Sequence, residues 1–392
     1  MNSGSLIENG KLKVKNNSQF STFNSQLPKG WEIKKLGEVG KVCMCKRILK
    51  KQTSETGDIP FYKIGTFGKK ANAFISKEVY EEYRSKYSFP KKGDILISAS
   101  GTIGRRVIYD GKPAYFQDSN IVWIDNDEKE VLNKYLYKFY GHCDWNPSKG
   151  ATISRLYNDD LRNIPIPIPP LPEQKRIVAI LDRAFEAIDQ AKANAEQNLK
   201  NAKELFESYL QGVFENKGDD WVEKRFDEVC VLQRGFDLPT RLRNKGVFPL
   251  VSSNGITDYV DVWKIKSPGV STGRSGTIGK VHFIEEDYWP LNTSLYIKEF
   301  HGNYEKFIYY FLRQFDLSRY ASGAGVPTLN RNNVHSEKVY FPKSLETQKQ
   351  IVQQLDALQA ETKKLEAIYQ QKIVDLEELK KSVLQKAFNG EL

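Results

Sequence analysis

The sequence predicts an α+β protein: two mixed α/β domains joined by two long antiparallel helices that form an intramolecular coiled coil, a tandem pseudo-two-fold repeat. Three observations carry this prediction. Five sequence markers occur twice in the same order. Two proline-poor segments keep a 4,3,4,3 apolar spacing. The stretches before each of them alternate short β-type runs with turns.

The repeat comes first, because it sets the frame for everything else. Trp31 to Val39 (WEIKKLGEV) returns as Trp221 to Val229 (WVEKRFDEV). Ser100-Gly101-Thr102-Ile103-Gly104 returns unchanged as Ser275-Gly276-Thr277-Ile278-Gly279. Tyr115-Phe116 leads to Trp123-Ile124 as Tyr288-Trp289 leads to Tyr296-Ile297. Leu171 to Asp182 (LPEQKRIVAILD) returns as Leu345 to Asp356 (LETQKQIVQQLD), and Glu204-Leu205 through Phe214 returns as Glu378-Leu379 through Phe388. The order implies a domain, a long helix, a domain and a long helix, with boundaries at 27–170, 171–216, 217–343 and 344–392. Residues 1–26, rich in Asn and Ser, are expected to be disordered.

After the break Ile164 to Pro170, the only proline up to residue 216 is Pro172, which suits the first turn of a helix. The apolar seam there runs through Ile177, Leu181, Ala184, Ile188, Ala191, Ala195, Ala202, Leu205 and Tyr209. In the second copy it runs through Ile351, Leu355, Leu358, Leu365, Tyr369, Leu376, Leu379 and Val383. This period over four to five heptads predicts coiled-coil packing. The first seam is rich in Ala and the second in Leu, so the two helices are expected to pair within one chain. An antiparallel pair follows from the return path through a whole domain.

In the globular stretches, runs such as Ile95-Leu96-Ile97 and Ser294-Leu295-Tyr296-Ile297 read as strands, with one helix in each copy, Lys129 to Tyr140 and Tyr304 to Phe315. Two elements are candidates for ligand contact. The first is the Ser-Gly-Thr-Ile-Gly turn, whose glycines permit close backbone approach. Ser100, Thr102, Arg105 and Arg106 belong to it in the first copy, and Arg274, Ser275, Thr277 and Lys280 in the second. Small hydroxyls, open amides and flanking cations suit phosphate. A Gly-rich hairpin turn with incidental arginines reads the same way. The second element is the loop with Lys149, Thr152 and Arg155, matched by Thr328, Asn330 and Arg331. Arg155 and Arg331 can make bidentate contacts to guanine, and Asn330 to adenine. A hinge between domain and helix is the other reading of this loop.

Composition fits a polyanion partner. The 392 residues carry a net charge of +10, with +8 in 27–170 and +3 in 217–343. Segments 171–216 and 344–392 are slightly acidic, at −2 and −1. A basic globular surface attracts a polyanion, and plain solubility is the reading that the charge alone would favour. No 18-residue apolar run predicts a membrane helix. Four cysteines exclude a disulfide scaffold and point to a reduced, cytoplasmic setting. Catalytic signatures are thin. There is no Asn/Asp-Pro-Pro-aromatic turn for amino-group methylation. Gly279-Lys280 has Arg274 and Val281 where a phosphate-binding loop needs Gly and a hydroxyl. The four histidines and four cysteines show no zinc spacing. No catalytic residue and no metal ligand is therefore assigned. A stand-alone nucleic-acid enzyme and a coiled-coil scaffold without a DNA role are the rival classes.

With these residues in place, the chain resembles the specificity subunit of Type I restriction–modification enzymes. The match rests on Gly150, Leu156 and Ile166-Pro167-Ile168-Pro169-Pro170-Leu171-Pro172-Glu173-Gln174-Lys175-Arg176-Ile177, on its echo Leu345, Gln348-Lys349 and Ile351, and on the two Ser-Gly-Thr-Ile-Gly turns. It covers Leu27 to Leu392. The echo has Pro342-Lys343 in place of the Pro-Pro pair. The resemblance implies that each globular part is a target-recognition domain for one half of a bipartite double-stranded DNA sequence. It implies that the helices set the gap between the halves and dock modification (methyltransferase) subunits, two of them, and restriction (endonuclease/translocase) subunits. Adenine-N6 methylation from S-adenosylmethionine and cleavage with ATP and Mg2+ would belong to those partners, leaving this chain non-catalytic and free of cofactor.

Overall fold

The computed structural model describes residues 27–145, 148–149, 154–323, 325 and 327–392; segment 1–26 and Thr152 lie outside the described residues. The chain divides into two compact units, Met1–Ala193 with Ile373–Leu392, and Asn194–Lys372. Each unit therefore holds one globular part and a stretch of both long helices.

In the first unit an antiparallel sheet is built from β1 (Lys41–Cys43), β2 (Ile95–Ser98), β3 (Arg106–Ile108) and β4 (Ile121–Asp125), in the order β1-β4-β2-β3. All of β2 and the first four residues of β4 are buried. This is why they read as continuous apolar runs rather than as alternating ones. A smaller sheet joins Ile59–Tyr62 to Phe74–Ile75 antiparallel and to Tyr115–Phe116 parallel. Helix α1 (Asn133–Phe139) buries Tyr135, Leu136 and Phe139 in the core. It starts four residues later than the sequence predicts. The Asn126 side chain donates to Val131 O and Asn133 Oδ1, and the Glu128 carboxylate accepts from the Asn133 amide. These side chains satisfy the backbone in a turn and cap the helix at its observed start.

After helix α2 (Leu171–Glu215), the second unit repeats the plan. Strands β5 (Val231–Arg234), β6 (Gly269–Gly273), β7 (Val281–Ile284) and β8 (Ser294–Glu299) run in the order β5-β8-β6-β7. The smaller sheet joins Lys245–Ser252 to Gly255–Val260 and Trp289–Pro290. Helix α3 (Glu305–Gln314) and then α4 (Leu345–Phe388) complete the unit. The repeated Trp-containing segments have one purpose in both copies. Glu32–Lys35 pairs antiparallel with Pro165–Ile168, and Trp221–Arg225 with Lys338–Pro342. The strand that enters each globular part is thus zipped to the strand that leaves it for the long helix.

The repeated Gln of the Leu-x-x-Gln motif is a latch. Gln174 is fully buried; its oxygen accepts from the Leu132 amide and its nitrogen donates to Glu130 O and Pro169 O. Gln348 accepts from the Tyr304 amide and donates to Asn303 Oδ1 and Pro342 O. Each latch ties the first turn of a long helix to the start of the domain helix. A buried amide with every partner present is stable there, whereas removing it orphans several backbone groups.

Both long helices run antiparallel to each other within each unit. In the first, Lys192 pairs with Glu377 and Lys380 with Asp189, both at 2.6 Å. In the second, Tyr209 Oη donates to Gln354 Oε1. Of the expected seam, Ile177, Leu181, Ile188 and Leu355 are buried, and Ile351, Leu358 and Leu376 are half-buried. Leu205, Leu365 and Leu379 are not in it; they are 50, 38 and 48 % exposed. A straight helix drifts about 20° per heptad from a 3.5 repeat. Over the four heptads from Ile177 this approaches one residue, so Phe206 and Leu210 take the buried positions that the seam assigned to Leu205 and Tyr209. In the second unit, Phe206 then meets Tyr310 of α3.

Candidate nucleic-acid interface

The Ser-Gly-Thr-Ile-Gly turn connects two sheet strands in each unit. In the first, the Ser98 hydroxyl donates to Thr102 O and accepts from the Arg105 amide, and Gly104 N donates to Ser98 O. Gly101 and Gly104 lie at φ of +65° and +81°, where only glycine sits without strain. In the second, Gly273 replaces Ser98, because a Cβ there would stand 1.7 Å from Thr277 O. Thr277 instead anchors through its hydroxyl to Asn254 Oδ1.

The fold joins the two elements that the sequence could only propose separately. Ser148–Lys149 and Ser154–Arg155 form one small hairpin, Ala321–Ser322 and Thr328–Leu329 another. Each hairpin is bonded to its turn in the same way. Leu156 N donates to Ala99 O, and Ser100 bridges Arg155. Leu329 N donates to Arg274 O, and Ser275 bridges Thr328. In both copies the end of the hairpin is thus bonded to the start of the turn.

This register also shows that the two arginines of the hairpin loops are not equivalents. Arg155 stands where the second unit has Thr328, and Asn158 stands where it has Arg331. Arg155 donates to Ser119 O at 2.9 Å, beside Ser100, whose hydroxyl donates to Asn120 Oδ1. Arg105 reaches Phe67 O on the other flank of the turn, with Thr102 exposed between strands. Arg106 is not part of this group. It alternates to the opposite side of β3, where its guanidinium lies 4.6 Å from the ring centre of Tyr137 and faces Gly141. Lys149 stands on the first strand of the hairpin.

In the second unit Arg234, Arg274, Ser322, Thr328, Asn330 and Arg331 line one cleft of about 320 Å3. Asn330 serves as an N-cap: its side-chain oxygen accepts from the Asn332 amide at 3.1 Å. That bond occupies one of the two lone pairs of the oxygen. Lys280 is set apart, in a second cleft with His282 and Lys306. Arg234, on β5, belongs to the cleft although no motif marks it; strand pairing alone brings it beside Arg274.

Burial pushes the Cys45 thiol up to about 12 and raises those of Cys43, Cys143 and Cys230, leaving them protonated. Burial also holds His142, His282 and His335 below the ordinary imidazole value. Among the described residues no group of three or more His, Cys, Asp or Glu could hold a metal ion. No helix among them is long and apolar enough to cross a membrane.

Two repeated units, each presenting a turn–hairpin pair flanked by arginines, define a tandem two-domain protein with a candidate polyanion site in each unit. Comparison with known proteins makes this specific. The family model for the Type I restriction modification DNA specificity domain matches residues 28–201 and again 218–374, and the chain belongs to this family. A putative type I restriction enzyme specificity subunit of Haemophilus influenzae is 67 % identical over 157 residues; that match covers 40 % of this chain and 40 % of the relative. Two solved structures share the fold at 18 % identity. One is a chain of a type I R-M system, with a TM-score of 0.76 over 94 % of this chain and 100 % of its own length. The other is the HsdS subunit of Thermoanaerobacter tengcongensis, with a TM-score of 0.60 over 94 % of this chain and 98 % of its own.

Proposed function

We propose that this chain is the DNA-reading subunit of a Type I restriction–modification complex, with one half of a bipartite double-stranded target taken by each unit. The observation that carries this reading is the backbone bond between the residue that leads into the Ser-Gly-Thr-Ile-Gly turn and the end of the small hairpin, made in the same register in both units, with arginines at its flanks. Lysines and arginines neutralise phosphates and set register, and a few polar side chains read base edges. The two long helices act as the spacer between half-sites and dock two modification subunits, to which restriction subunits are added. S-adenosylmethionine, ATP and Mg2+ are used by those partners in the cytoplasm, and this chain binds none of them. Outside the shared markers the two globular parts differ in sequence, so the two half-sites differ as well.

The test is binding of the full chain, with its modification subunit, to duplex DNA across a salt series. Specific binding that weakens steeply with salt is expected, as counterions are released from each neutralised phosphate. Equal binding to all sequences, or none, would refute the reading, as would methyl transfer by the chain alone.

A further inference from the structure

Arg331 shares its cleft with Arg234 and Arg274. A guanidinium donates and never accepts, so the charged wall of this cleft offers donors only. It matches the base edge richest in acceptors, O6 and N7 of guanine. The three arginines are not held alike. Arg234 has a 3.4 Å contact with the exposed Asp237, and Arg274 one 3.3 Å bond to Asn292 O. Arg331 is the one of the three that donates to a neutral side chain: one guanidinium nitrogen donates to the side-chain oxygen of Gln233 on β5 and, at 3.4 Å, to Leu232 O. Because the guanidinium only donates, the Gln233 amide must turn its oxygen toward it. A side chain pinned this way gives up less rotamer freedom on binding, and keeps its remaining N–H groups in a fixed fork.

We propose that Arg331 reads a guanine in the half-site taken by the second unit, and that Gln233 is the positioning residue that aims it. The proposal rests on the DNA-reading function above and deepens it. The first unit has no such pair. Gln233 faces Tyr296 across β5 and β8 in the register in which Cys43 faces Trp123 across β1 and β4. Cys43 thus stands in the place of Gln233, and Asn158 in that of Arg331. A guanine preference set by this pair belongs to one half-site alone.

The experiment equilibrates the full chain and its modification subunit with a duplex library randomised over both half-sites, and sequences the bound fraction. Wild type is expected to enrich guanine at a fixed position of one half-site. Gln233→Leu should lower that preference roughly tenfold, within the range of a bidentate contact, with all other positions unchanged. Gln233→Glu, which keeps an acceptor toward Arg331, should retain it, and Arg331→Ala should abolish it. Unchanged base preferences in Gln233→Leu would overturn the proposal. So would a lost guanine in Gln233→Glu, which is isosteric and decides the matter if the leucine variant fails to fold. A uniform loss of affinity in Arg331→Ala, with a shallower salt slope, would assign Arg331 to a phosphate and also overturn it. If wild type enriches no sequence at all, the DNA-reading function itself fails.

Discussion

His335 closes the short helix Arg331–His335 and accepts a 3.0 Å hydrogen bond from the Leu232 amide, its ring stacked 6.2 Å from that of Phe226. Burial lowers its pKa from 6.5, with Asp227 opposing the shift and Arg331 and Arg225 adding to it. The neutral ring is therefore the folded form, and the unfolded chain binds the proton more readily. This contribution is fully present above pH 6.5 and is lost as pH falls through that value toward the folded pKa. Thermal unfolding should show the second unit losing stability between pH 7.5 and 5.5, with a flatter profile for His335→Gln. An identical profile in the variant would place the linkage elsewhere; His142 and His282 carry the same sign. The same scale separates Arg105 from Arg106. They are adjacent in sequence and were equal candidates for DNA contact, yet strand alternation sends one to the turn and the other to Tyr137.

At the scale of elements, the long helices are held to each globular part by a latch at one end and aromatic packing at the other. Phe388, at the last position of α4, is fully buried against Tyr135, Phe139 and His142. Its counterpart in the repeat, Phe214, meets Trp221, Phe307 and Phe311. Phe388→Ala removes a ring from a closed core and should cost about 3–5 kcal/mol in denaturant unfolding of the first unit. A loss under about 1 kcal/mol would mean that the helix end is not anchored there. Helix extents were readable from proline placement and apolar spacing. The buried stripe was not, because a 3.5 pattern and a 3.6 helix diverge with length and the cores of the globular parts then choose between neighbouring side chains. Leu205 and Phe206 are both apolar, and only packing against Tyr310 selects the phenylalanine.

For the molecule as a whole, the proposed spacer role predicts a length dependence. Seven residues inserted at facing positions of both helices, after Ala193 in α2 and after Lys372 in α4, lengthen the pair by about 10 Å at ~1.5 Å per residue. At about 3.4 Å per base pair, the preferred gap between half-sites should grow by about three base pairs, as read from the bound sequences of the same library. An unchanged gap would sink the spacer role. The duplication, the two long helices and the basic character of the globular parts were legible in the residues alone, since order, period and charge are properties of a string. Which cations converge was not. The Ser-Gly-Thr-Ile-Gly turn and the hairpin lie about 50 residues apart, Arg234 carries no motif, and Arg155 and Arg331 look alike until the Leu156 and Leu329 amides set the register. Those relations come from hydrogen bonds between distant strands, and a one-residue change of pairing, invisible in composition, decides which face every side chain takes.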